Sequence, residues 1–124
     1  MLAATLLLVA CEEADYADAS FLRGTWVQSN NAKRVLTLTF DEDYLYVDGY
    51  TTDDQPFYNA ERWEYNVTRD SVLVIACDQY EPDGGYYRDE YELDLSMRDR
   101  ETTMLLHFDR TWSSDIDYMF IKRR

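Results

Sequence analysis

His107 is the only histidine in the chain, so any mechanism that pairs a serine or cysteine nucleophile with an imidazole base must use it. It sits in the apolar run Met104-Leu105-Leu106-His107-Phe108, with Leu105 and Asp109 at the alternate positions, so an aspartate stands where it can orient the ring. No serine occupies a Gly-x-Ser-x-Gly elbow. A catalytic histidine and a hydrogen-bonded histidine in a strand wall are the two readings, and the second is expected, with no enzyme activity. The 25 acidic residues permit general acid-base chemistry, glycoside hydrolysis included, without singling out a pair. Between Asp78 and Glu90, counting from Gln79, the residues Glu81, Asp83, Gly84 and Glu90 fall at calcium-loop spacing. Gln79 replaces the expected first aspartate and Pro82 stiffens the loop, so these carboxylates are either an incomplete cation site or an acidic hairpin loop in which Asp-Gly-Gly supplies positive φ. No cofactor or metal is expected.

A chain of 124 residues has room for one core and one domain. Its net charge of −13 repels nucleic acid and anionic lipid surfaces over most of its exterior. That acidity serves solubility or meets a basic partner, and charge alone does not separate the two. Eleven tyrosines, each an apolar ring with a polar tip, suit half-buried strands and surfaces that touch amphipathic partners.

Residues 1–10 are almost wholly small and apolar and end at Cys11, after which Glu12, Glu13 and Asp15 turn the chain acidic. The nine residues from Leu2 to Ala10 are too few to cross about 30 Å of hydrocarbon as a helix. Leu8-Val9-Ala10-Cys11 resembles the lipobox of bacterial lipoproteins, which implies cleavage before Cys11 and attachment of a diacylglyceride, with acyl chains such as palmitate, to its sulfur. A secretory signal opens with basic residues, and none precedes Leu2, so the signal is expected to begin upstream of Met1. The alternative is a buried apolar strand or helix with a chance cysteine. Residues 11–20 read as an acidic tether. Glu12-Glu13-Ala14-Asp15 resembles the signal that moves some lipoproteins to the outer face of the outer membrane, or is simply a solvated linker. The resemblance thus implies a bacterial envelope protein anchored to the outer membrane through Cys11. Cys77, in the run Ser71–Cys77, is expected to be a buried, inert thiol.

Residues 21–124 break into eight apolar-alternating runs joined by short polar links. These are expected as strands at Leu22–Ser29, Arg34–Phe40, Tyr44–Gly49, Phe57–Val67, Ser71–Cys77, Tyr86–Ser96, Met104–Phe108 and Ile116–Ile121. Leu36, Leu38 and Phe40 share one face; so do Trp63, Tyr65 and Val67, and again Tyr87, Asp89, Tyr91, Leu93 and Leu95. The stretch Leu22-Arg23-Gly24-Thr25-Trp26 resembles the Leu-x-Gly-x-Trp opening of lipocalin-like domains. The resemblance implies an all-β fold, a small antiparallel up-and-down β-barrel in which the glycine bends the first strand and the tryptophan closes one end. A two-sheet sandwich is the alternative.

Lipocalin-like interiors carry aromatic walls, and Tyr44, Tyr46, Trp63, Tyr65, Tyr87 and Tyr91 either line such a site or form the core. Of these Trp63, Tyr65, Tyr87 and Tyr91 are the candidate contacts for a small apolar or amphipathic ligand. The other functional reading is a solid barrel whose acidic, tyrosine-rich outside meets a protein partner.

Overall fold

The computed structural model describes residues 16–30, 35–52, 54–110 and 115–123. Eight strands follow a single turn of 3-10 helix at Ser20–Leu22: β1 (Gly24–Gln28), β2 (Leu36–Phe40), β3 (Tyr44–Gly49), β4 (Arg62–Val67), β5 (Val72–Tyr80), β6 (Tyr86–Arg98), β7 (Thr103–Phe108) and β8 (Ile116–Lys122). Each pairs antiparallel with the next in sequence, and β1 returns to β8 with Trp26 opposite Lys122, Val27 opposite Ile121 and Gln28 opposite Phe120. The expected up-and-down barrel is therefore closed, which excludes the two-sheet sandwich. No helix among the described residues is long and apolar enough to cross a membrane.

Period-two alternation decides which side chains enter the barrel. Leu36, Leu38 and Phe40 point inward on β2, Trp63, Tyr65 and Val67 on β4, and Leu93 and Leu95 on β6, as the pattern predicts. Each fully buried Leu, Ile or Phe contributes roughly 1.5–3 kcal/mol. Rings meet along the axis: Phe40 packs edge-on to Tyr65 at 5.0 Å, and Phe57 and Phe120 flank Tyr118 at 5.6 and 6.0 Å. In Tyr44-Leu45-Tyr46-Val47 both alternate sets are apolar, so periodicity cannot choose between them. The structure sends Leu45 and Val47 inside and leaves Tyr46 outside, 41% exposed, with Tyr44 beneath the guanidinium of Arg62 at 4.5 Å. Neither tyrosine belongs to the interior.

The fourth strand begins at Arg62, five residues later than Phe57. Phe57 lies instead in the β3–β4 connection and folds over one mouth of the barrel, where it is 1% exposed. The other mouth is closed by the 3-10 helix. There the indole N–H of Trp26 donates to the carbonyl of Leu22 at 2.8 Å, and Lys122 Nζ lies over the indole at 5.3 Å while donating to the carbonyl of Phe21. The end of the expected tether joins this closure, since Tyr16 bridges to Thr68 and the Ala17 N–H donates to Val67 at 2.7 Å.

Gly24 and Gly49 are fixed by backbone geometry. Gly24 has φ +123°, the bend expected ahead of Trp26, and Gly49 has φ +117° with a carbonyl so near that an added Cβ would stand 2.2 Å from Val35 O. Replacing Trp26 by Phe keeps a ring in the plug but strands the buried Leu22 carbonyl, a loss of about 1–3 kcal/mol. Trp26→Ala also opens a cavity and is expected to cost about 3–5 kcal/mol, both read as shifts in urea midpoint at constant slope.

Candidate functional site

The two mouths of the barrel differ in character. At the mouth opposite Trp26 lie the β3–β4, β5–β6 and β7–β8 connections, and here β5 and β6 outrun their neighbours. β4 pairs with β5 only as far as Ala76, and β7 pairs with β6 only from Asp94, so Cys77–Tyr80 and Tyr86–Asp89 pair with each other and project as a hairpin. This overhang explains Tyr87. Its alternation is that of Leu93 and Leu95, but there is no barrel around it to bury it, and it is 46% exposed.

The four candidate ligand contacts thus separate. Trp63 is fully buried and its ring meets Tyr91 at 5.7 Å, so the structure brings these two together. Tyr65 is buried near the closed end, its hydroxyl donating to the carbonyl of Asp41 at 2.6 Å, and burial pushes its phenol above the usual range. Tyr87 stands apart on the hairpin. Tyr91 is half-buried, with Phe108 edge-on at 5.7 Å.

The projecting hairpin is held by polar contacts. Arg88 grips both oxygens of Glu64 at 3.0 and 3.1 Å and reaches Asp78 at 2.8 Å, while the Tyr86 hydroxyl donates to the same Asp78 oxygen at 2.8 Å. The two hydrogen bonds to Asp78 hold its carboxyl below the usual carboxylate range. Asn59, from the β3–β4 connection, donates to Asp89 at 2.7 Å and accepts from Gln79 at 3.0 Å through its carbonyl. Five tyrosines are exposed at this mouth: Tyr50 and Tyr58 on the β3–β4 connection, and Tyr80, Tyr86 and Tyr87 on the hairpin. Tyr44 and Tyr80 border an outer hollow of about 370 Å³ that Arg62, Glu64 and Asp78 also line. A larger outer groove of about 600 Å³ runs between Tyr16 and the outward faces of Val72, Val74, Glu90 and Glu92.

The calcium-loop carboxylates do not converge. Glu81 and Asp83 sit at the hairpin tip, where Asp83 Oδ1 accepts the Gly85 N–H at 2.9 Å, while Glu90 lies four residues into β6 and lines the 600 Å³ groove. Cys77 is buried, and burial raises its thiol above the ordinary value, as an inert core cysteine should behave. Cys11 and the expected signal lie outside the described residues.

His107 faces outward on β7, directly between Asp94 on β6 and Asp117 on β8. Its Nδ1 is 2.5 Å from Asp117 Oδ1, and its Nε2 is 3.4 Å from Asp115 Oδ2. The sequence places Asp109 beside it; Asp115 and Asp117 arrive only through the β7–β8 register. One ligating atom each from His107, Asp109 and Asp115 lie within 4.8 Å of one another. Asp109 hydrogen-bonds Asp115, and this contact raises its carboxyl above the usual range. Comparison of the chain with protein-family models, with curated proteins and with solved structures finds no match.

The hydrogen bond to Asp117, followed by the surrounding carboxylates, raises the His107 pKa above its ordinary 6.5. A raised folded-state value stabilises the fold below the unfolded pKa, and this contribution disappears as pH rises through the raised value. Asp117→Asn is expected to bring the His107 titration back toward 6.5, read from its ring resonances. The stability advantage of the natural chain over this variant should be present below that value and shrink above it, even with Asp94, Asp109 and Asp115 still facing the ring.

Proposed function

We propose that this chain is an envelope lipoprotein, anchored through acylated Cys11, whose lipocalin-like barrel acts as a binding module for a basic protein surface and not as an enzyme. The observation that carries the reading is the division of the aromatic residues. The rings that could have lined an interior site, Trp63, Tyr65, Phe40 and Phe57, are buried against other core side chains, whereas five tyrosines are set out in solvent at one mouth. Tyrosine offers contact area at low entropic cost, and the carboxylates of Asp78, Glu81, Asp83 and Asp89 around it favour a cationic partner. The Arg88 and Asn59 contacts support preorganisation of this surface.

The lipocalin-like reading is supported by the closed eight-strand barrel, the bent Gly24 and the Trp26 plug. The lipoprotein reading adds an orientation. Tyr16 joins the barrel at the closed mouth, and the five residue steps back to Cys11 span at most about 18 Å. An anchor there holds the closed mouth toward the outer membrane and turns the tyrosines away from it.

Labelled palmitate is expected to enter the natural protein and not Cys11→Ser, which should leave the membrane fraction. A photoreactive residue placed at Tyr80 or Tyr86 in the native host is expected to cross-link one protein partner, and the same residue at Glu101, on the opposite mouth, to give none. High salt should weaken the contact, and Tyr80→Ala with Tyr86→Ala should reduce it roughly 10-fold or more. Adducts from Glu101 alone would overturn the assignment. So would a stoichiometric small molecule found by native mass spectrometry together with no cross-link from the tyrosines, which would return the function to the interior.

A further inference from the structure

We propose that the mouth of the β7–β8 hairpin is a binding site for a divalent transition-metal ion, ligated by Nε2 of His107 and by the carboxylates of Asp109 and Asp115. The site shares no residue with the tyrosine surface and does not depend on that reading.

The argument begins with the ring's two nitrogens. Asp117 lies 2.5 Å from Nδ1 and accepts the proton there, so in the neutral imidazole the lone pair is on Nε2. Nε2 stands 3.4 Å from Oδ2 of Asp115. For metal bonds of about 2.1 Å, neighbouring ligand atoms in a tetrahedron stand about 3.4 Å apart. The His107–Asp115 edge already has this length, and Asp109 completes a set within 4.8 Å that closes further by small side-chain rotations. A carboxylate holding a histidine from behind while its far nitrogen faces the ion is the arrangement by which metal sites fix ring orientation and raise ligand basicity.

The donors also define the class of ion. One imidazole with two carboxylates suits zinc, manganese or cobalt, whereas calcium and magnesium prefer all-oxygen shells with more ligands. Three protein ligands leave a position for water or for a group on another molecule. The backbone supplies the rigidity. His107 lies opposite Asp117 in the β7–β8 ladder, so the ligand and its supporting carboxylate are fixed by strand register. Asp109 and Asp115 leave the two ends of that ladder. An ion between them joins the strand ends directly.

The test uses the full, tag-free chain with Cys11→Ser, so that the N-terminal thiol takes no metal, titrated with zinc chloride after chelator treatment. Because His107 is the sole histidine, its ring gives one isolated set of resonances. Saturable binding of one zinc with movement of those resonances is expected, and calcium at equal concentration should leave them in place. His107→Gln should weaken binding roughly 100-fold, and Asp117→Asn, which removes only the supporting contact, about 10-fold. Glu81→Gln with Asp83→Asn should bind as the parent does. Unmoved ring resonances, equal affinity in His107→Gln, or loss of binding in the Glu81/Asp83 variant each overturn the site. The ring titration of the unsubstituted site stands even where a variant fails to fold.

Discussion

The indole of Trp26 holds three parts of the chain in one place. Its N–H ties β1 to the 3-10 helix at Leu22, its face lies beneath the ammonium of Lys122 on β8, and its ring is wholly excluded from water. The first and last strands are thereby joined through one side chain, at the seam where the barrel must close. A barrel differs from an open sheet only in that seam, and loop-closure entropy opposes bringing the first and last strands together. The Trp26 contacts offset that cost at the point where it is incurred. Gly24, with its positive φ, lets the chain turn from the helix into the strand without lifting the indole out of the plug.

With one mouth plugged and the axis packed with rings, the distinctive chemistry lies outside or at the opposite mouth. There the hairpin of β5 and β6 extends beyond the strands beside it, and polar side chains do what barrel packing does elsewhere. Arg88 ties the hairpin to β4 through Glu64, and Asn59 ties it to the β3–β4 connection. The His107 group follows the same logic on the neighbouring strands, where the ladder of β7 and β8 sets Asp117 against the ring and delivers Asp115 from across the turn. Networks of polar side chains gather where strands end, and the strands themselves are concerned with closure.

Strands and their inward faces were legible wherever one alternate set was apolar and the other polar, as in Leu36-Thr37-Leu38-Thr39-Phe40 or Arg62-Trp63-Glu64-Tyr65. They were ambiguous at Tyr44–Val47, where both sets are apolar and only packing decides. Alternation is also blind to what surrounds a strand: Tyr87 carries the inward phase of β6, yet lies beyond the barrel. Phe57 reads as the start of a strand because aromatic residues favour strands, and the structure uses it as a cap. Of the His107 cluster, only Asp109 is visible in sequence, since a residue two positions along shares its face. Asp94, Asp115 and Asp117 become neighbours through strand register, which depends on closure. The sequence spacing that did suggest a cation site, Glu81 to Glu90, presumed a compact loop, and the extended β6 carries Glu90 away from the hairpin tip.

The closed ring of strands also limits how anything else can recognise this protein. An open sheet offers a row of unpaired amides and carbonyls along its outermost strand, to which a foreign segment can add itself almost regardless of its side chains. Here β1 and β8 pair with one another, so among the described residues no open edge strand runs along the barrel body. Recognition of that wall must be written in side chains. It can then change by substitution at surface positions while the fold stays as it is, and neighbouring copies gain no backbone route along the barrel body to joining into a continuous sheet.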